Sequence, residues 1–312
     1  MSDLILHHYP MSPFAEKIRA ILGAKQLTWK SVIIPRVMPK PDVTALTGGY
    51  RKTPILQIGA DIYCDTALIA RKLDQLAPEP ALYPKHCAAT AEAAAAWADS
   101  VLFNAAVPLA FQPQVLAQTF AGQEAELQTF VADRAAMRKG ATLPRTSLDV
   151  ASSIVGRFLQ SLEEQLSGGS NFINGDFPTI TDFSVYHPLW FLWTKPIVNE
   201  LLTPYPAISG WLETIKSLGH GSSTDLDSAE AVAIANASSP KAFEQKNNLS
   251  KFKLGDDVIV QPTDYGIDPV LGKLVYSDDF ETVLLRNDER AGEVAVHFPR
   301  VNYAVLSPEQ AN

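Results

Sequence analysis

The sequence predicts an α/β unit, then an all-α unit, then a small β unit. Three observations carry this. Short apolar runs alternate with amphipathic helix patterns up to residue 84. From residue 85 to 217 the strand signals vanish and long helical patterns take over, starting with the alanine-rich stretch 88–111. After Leu254, short β-branched runs recur between turn residues. A chain of 312 residues suits two or three domains. The expected divisions are 1–84, 85–217, a helix and linker over 218–253, and 254–312.

The first strand is Leu4 to His8, where alternation would bury one of His7 and His8 and expose the other. A helix follows from Pro13 to about Ala24, with Phe14, Ile18, Ile21 and Leu22 on one face. Ser12 is a preferred N-cap, and proline in the first turn loses nothing because that N–H has no partner. Trp29 to Ile34 alternates and is β-branched, hence a second strand. Residues 35–49 carry Pro35, Pro39, Pro41, Gly48 and Gly49, which implies a loop with at most a short helix. Strands near Ile55 and Ile62 are joined by a Gly59-Ala60-Asp61 turn. A helix from Asp65 or Thr66 to about Leu76 ends at Ala77-Pro78-Glu79-Pro80. This order is the thioredoxin-like layout, one parallel crossover plus an antiparallel pair. Pro54 would delete a ladder bond inside a strand, so it belongs at the strand's first residue, either as a plain edge-strand proline or in a cis peptide.

The second unit reads as a helical bundle. Residues 88–111 form one long helix that could break near Pro108, with Trp97, Val101, Leu102 and Phe103 on its apolar side. Helices over 124–139 and 148–166 follow, the last ended by Gly168-Gly169. Thr179 and Asp182 stand in N-cap and N3 relation, an acidic capping box, so Asp182 is structural. Pro188 should kink or break the helix that begins there. Residues 219–224 read as a flexible junction, 225–237 as a short helix and 241–253 as a polar linker. Val258-Val260, Gly272-Tyr276, Thr282-Arg286, Gly292-His297 and Val305-Leu306 are strand-like and turn-separated. They predict a small, mostly antiparallel β-barrel or sandwich.

Three motifs in order, Ser12-Pro13-Phe14-Ala15, Thr53-Pro54-Ile55-Leu56 and Asp65-Thr66, together resemble the N-terminal domain of glutathione transferases. Residues 171–183 resemble that family's second-domain signature, with Thr181 where alanine is usual. The resemblance covers roughly residues 1–217 and leaves the β extension unaccounted for. It implies glutathione as co-substrate, with Ser12 stabilising the thiolate and Tyr9 as the rival donor. A helix N-terminus and a hydroxyl both favour the thiolate over a free thiol near pKa 8.5. The resemblance assigns the backbone of Thr53, before Pro54, to the peptide. It gives Asp65 to the ammonium and Thr66 to the carboxylate of the γ-glutamyl end. Lys52, ahead of Lys40, is the candidate for the glycine carboxylate. An apolar electrophile would lie against Phe14, Phe103, Asn104 and Phe111. A homodimer and a detoxification role follow from the same resemblance. The alternative is a non-catalytic binding or scaffold protein on the same fold.

Net charge is −8, which argues against a broad nucleic-acid footprint. No run approaches the roughly 20 apolar residues of a membrane span. Two cysteines, Cys64 and Cys87, give neither a disulfide framework nor metal-site spacing. No metal is expected. The Met-Ser-Asp start lacks a signal segment, so the expected location is cytoplasmic.

Overall fold

The structure is a computed structural model and describes residues 3–243 and 250–311. Part of the expected 241–253 linker therefore lies outside the described residues. Strands β1 (Ile5–His8), β2 (Thr28–Ile33), β3 (Ile55–Ile58) and β4 (Asp61–Cys64) alternate with helices α1 (Pro13–Ala24), α2 (Pro41–Thr47) and α3 (Thr66–Leu76). β1 runs parallel to β2 and antiparallel to β3, and β3 and β4 form a hairpin. This is the thioredoxin-like layout the sequence predicts. Both His7 and His8 are buried, at 0% and 4% exposure, against the expectation of one exposed. The physical reason is that β1 is a central strand covered on both faces.

Side-chain alternation sorts these strands between two cores. Leu6, Leu56 and Tyr63 face the helical unit together with α1 and α3. Ile5, Ile55, Ile62 and Cys64 face α2 and the C-terminal strands. The helical unit begins with α4 (Ala88–Trp97), which continues through a π-helical segment (Ala98–Leu102) into α5 (Phe103–Ala110). Pro108 sits inside α5 without ending it. By length and composition this 23-residue rod, Ala88–Ala110, would suffice to cross a membrane, which the sequence reading missed. Its alanine stripe (Ala91, Ala95, Ala98, Ala105, Ala106) is instead buried in the core.

The unit continues with α6 (Pro113–Thr119), α7 (Glu124–Met137), α8 (Leu148–Leu166), α9 (Ile180–Trp193), α10 (Pro196–Asn199) and α11 (Pro206–Ser217). α9 is the buried axis and runs through Pro188 unbroken. Its start is fixed as expected. The Asp182 carboxylate accepts the N–H groups of Thr179 (2.8 Å) and Ile173 (2.8 Å) and the indole N–H of Trp211 (3.1 Å).

The junction at 219–224 is not slack: β5 (Ser222–Asp225) lies parallel to β2. After α12 (Ser228–Asn236) come β6 (Asp257–Pro262), β7 (Val270–Ser277), β8 (Glu281–Asp288), β9 (Gly292–Pro299) and β10 (Tyr303–Leu306). They form the expected β-rich region, with β6 to β9 as an antiparallel meander and β10 returning beside β6. They do not stand as a closed unit. β9 pairs in parallel with β4, giving one sheet in the order β10-β6-β7-β8-β9-β4-β3-β1-β2-β5. The pairing satisfies backbone groups that β4 would otherwise present as an open edge.

Candidate functional site

The site forms where the thioredoxin-like sheet, the helical unit and the C-terminal strands meet. A cavity of about 1050 Å³ is lined there by Tyr9, Ser12, Phe14, Lys52, Thr53, Pro54, Asp65, Thr66, Phe103, Asn104 and Phe111. Every candidate named from the sequence therefore reaches one cavity, though in different states.

Ser12 caps α1, and its Oγ accepts the Ala15 N–H at 3.2 Å. It is only 2% exposed, and its own O–H has no acceptor among the described residues. That hydroxyl sits at the positive end of the helix. Tyr9 also lines the cavity, with the Lys40 ammonium over its ring at 5.8 Å. The Thr53–Pro54 peptide is cis. The Thr53 hydroxyl accepts from Lys40 Nζ at 3.0 Å. Burial, with Arg134 adding repulsion, lowers the Lys40 pKa to about 8.

Asp65 is the N-cap of α3, with φ 75° and ψ 135°, a conformation L-residues rarely adopt. Such a backbone stores about 1–3 kcal/mol and persists only where its surroundings impose it. One carboxylate oxygen accepts the Ala67 N–H at 2.9 Å, and the other accepts the Tyr303 O–H at 3.1 Å. Tyr303 also meets the Tyr50 hydroxyl at 2.9 Å. Thr66 is 5% exposed and takes a long contact of 3.5 Å from Lys17. Lys17 is fully buried and salt-bridged to Asp99 at 2.6 Å, and His187 donates to Asp99 at 3.0 Å.

Two candidates are committed elsewhere. Lys52 pairs with Asp264 at 2.7 Å and lies over the Tyr265 ring at 4.3 Å. The Asn104 amide donates to Thr146 at 2.8 Å and holds the loop before α8. Phe14 is packed edge-on to Phe103 at 4.6 Å and opens an aromatic wall that continues through Phe191 and Phe111. Sequence reasoning missed Asp264, Tyr265 and Tyr303, which the C-terminal region contributes to the cavity. No local pattern marks them, because their partners lie some 200 residues away (212 for Lys52–Asp264). It also missed Asp99. Among the described residues no group of three or more His, Cys, Asp or Glu side chains could hold a metal ion.

A thioredoxin-like domain joined to a helical unit, with a cavity at the junction, is the architecture of the glutathione transferase fold. Residues 6–81 match the model of the glutathione S-transferase N-terminal domain, and residues 140–220 that of the C-terminal domain. A GST-like protein from Pseudomonas syringae, known from its crystal structure, is 44% identical. That match covers 98% of this chain and 100% of that one, with a TM-score of 0.83. The chain belongs to the glutathione S-transferase family. Apo glutathione S-transferase III is 21% identical over 69% of this chain and 92% of its own, with a TM-score of 0.52. A β-etherase from Sphingobium sp. strain SYK-6 is 18% identical over 70% of this chain and 96% of its own, with a TM-score of 0.51. These two share the fold alone. The Pseudomonas match, by contrast, extends into the C-terminal strands. No curated protein matches the chain.

Proposed function

We propose that the protein is a glutathione transferase-like enzyme that activates the glutathione thiol for attack on an apolar electrophile. The observation that carries this is the convergence of Ser12, the cis Thr53–Pro54 peptide and the Asp65–Thr66 helix start on one cavity. In this reading the Asp65 carboxylate holds the γ-glutamyl ammonium. The Thr66 hydroxyl and the N–H groups opening α3 hold the γ-glutamyl carboxylate. The Thr53 backbone pairs with the cysteinyl peptide. Lys40 takes over the glycine carboxylate from Lys52, which Asp264 neutralises. The Ser12 O–H and the start of α1 then stabilise the thiolate, so more of it is present at neutral pH. The reading extends to a cytoplasmic homodimer, which sedimentation and cell fractionation test.

The experiment is Ser12→Ala, assayed with glutathione and 1-chloro-2,4-dinitrobenzene. Removing the thiolate's donor should lower kcat on the order of a hundredfold. The rate should also need a higher pH, because the bound thiol loses its stabilised anion. Turnover unchanged from wild type would falsify the assignment of Ser12. Calorimetric binding of glutathione without turnover by the wild type would instead favour a binding module on this fold.

A further inference from the structure

The far end of the cavity holds a cation that nothing among the described residues neutralises. Lys195 lies just beyond α9 and is only 6% exposed, yet it lines the cavity. Among the described residues its ammonium has neither a carboxylate in ion-pair range nor a hydrogen-bond acceptor. The ammonium lies 5.2 Å from the centre of the Phe191 ring. Burial holds its pKa below the ordinary lysine value, and Arg36 lowers it further. A buried lysine normally has a partner.

The surroundings repeat the pattern. Arg36 lies over the Phe120 ring at 5.1 Å and Arg134 over the Phe130 ring at 4.9 Å. Both line the same cavity. Arg36 is answered by Glu126, half exposed at 49%. The nearest carboxylate oxygen to Arg134 is on Asp133 at 3.5 Å, and Asp133 binds Arg51 more closely, at 2.6 Å. The cavity's own carboxylates are occupied elsewhere: Asp65 with Tyr303, Asp99 with Lys17, Asp264 with Lys52 and Glu92 with Arg71. Asp279 lies beside Phe280, whose ring covers Arg71. The aromatic wall therefore runs from Phe14, beside Ser12, through Phe103 to Phe191 and ends at an unanswered positive charge.

Resting on the transferase reading above, we propose that the second substrate is an aromatic electrophile bearing a carboxylate or similar anionic group. Its ring lies among Phe103, Phe111 and Phe191, and its anion pairs with Lys195. A ring between these side chains gains apolar burial and edge-to-face contacts. The anion supplies the counter-charge that Lys195 lacks among the described residues.

The test compares 4-chloro-3,5-dinitrobenzoate with its methyl ester. In both, the glutathione thiolate forms a C–S bond at the chlorine-bearing carbon. Chloride leaves with the C–Cl electron pair, and the thiol proton goes to solvent. Each rate is divided by the uncatalysed rate, because the ester activates the ring more. The wild type should show a KM about tenfold lower for the acid. Lys195→Gln should raise that KM about tenfold while leaving the ester's KM and both kcat values in place. Lys195→Arg should keep the preference. An equal loss for acid and ester means that Lys195 only packs against Phe191, and that overturns the proposal. Turnover of neither compound sinks the transferase reading; turnover of both without an acid preference sinks only the present one. Calorimetry with unreactive 3,5-dinitrobenzoate gives an answer without turnover. Binding should weaken about tenfold in Lys195→Gln, and equal binding overturns the anion site.

Discussion

In the proposed transferase reading, Tyr303 acts on the glutathione end through Asp65. Its O–H donates to the carboxylate that is proposed to meet the γ-glutamyl ammonium, and its ring packs against Phe298 and Tyr50. Tyr303→Phe keeps the ring and removes the donor. A hydrogen bond to a charged group contributes about 1.5–3 kcal/mol, so the KM for glutathione should rise about tenfold with kcat nearly unchanged. Glutathione lacking its α-ammonium should bind wild type and variant alike, because it makes no call on Asp65. An equal loss for both peptides would mean that Tyr303 supports the wall rather than aiming the carboxylate. The same residue shows why Asp65 can hold a positive φ. Both carboxylate oxygens are tied, one to its own helix and one to a strand 238 residues away.

Between elements, close backbone approach decides more than side-chain pattern. Gly23 sits in α1 where the turn after α11 crosses it. A Cβ there would lie 2.0 Å from the Gly219 carbonyl oxygen. Alanine in a helix interior ordinarily gains up to about 1 kcal/mol over glycine. Here it must push the turn aside, and with it β5. Gly23→Ala should therefore lower the thermal midpoint, and a raised midpoint would mean that the turn yields freely. The contrast with what the sequence disclosed follows from the same physics. The start and length of α1, the proline at β3 and the cap of α9 were legible because a cap, a ring or a capping box acts within four residues. β5 was not, since Ser222, Ser223, Thr224 and Asp225 are all exposed and pair with β2 through backbone alone. The docking of β9 on β4 left a signal that went unread. Val294 through Phe298 are buried without alternation, the mark of a strand covered on both faces. Of the site, the Ser12, Thr53 and Asp65 positions were legible. Asp264, Tyr265 and Tyr303 were not, because nothing local records which distant strand will close the cavity.

At the scale of the whole molecule, the net charge of −8 says little about the cavity, whose far end is basic, and little about acid stability. Buried imidazoles control the latter. Burial lowers the pKa of His7 to about 4, against a smaller opposing effect of its bond to Gln57. Burial, reinforced by Arg19, lowers His8 to about 3, and Arg19 donates to its Nδ1 at 3.0 Å. Burial lowers His187 to about 4 despite Asp99. In the unfolded chain all three titrate near 6.5. Between pH 6.5 and about 4 the unfolded state therefore binds more protons than the fold, and stability falls as pH falls. Each imidazole contributes up to about 1.4 kcal/mol per pH unit in that window. Asp182 works the other way: burial raises its pKa, so its contribution favours the fold at low pH and fades as pH rises. One carboxyl set against three imidazoles leaves the sign unchanged. Urea midpoints measured from pH 7.5 down to 5 should hold steady above about 7 and then drop. The drop should be shallower in His187→Asn, which keeps a donor for Asp99 and removes one titrating ring. A midpoint constant down to pH 5 would mean that these rings are protonated in the fold, and so that their surroundings are not as dry as the packing implies.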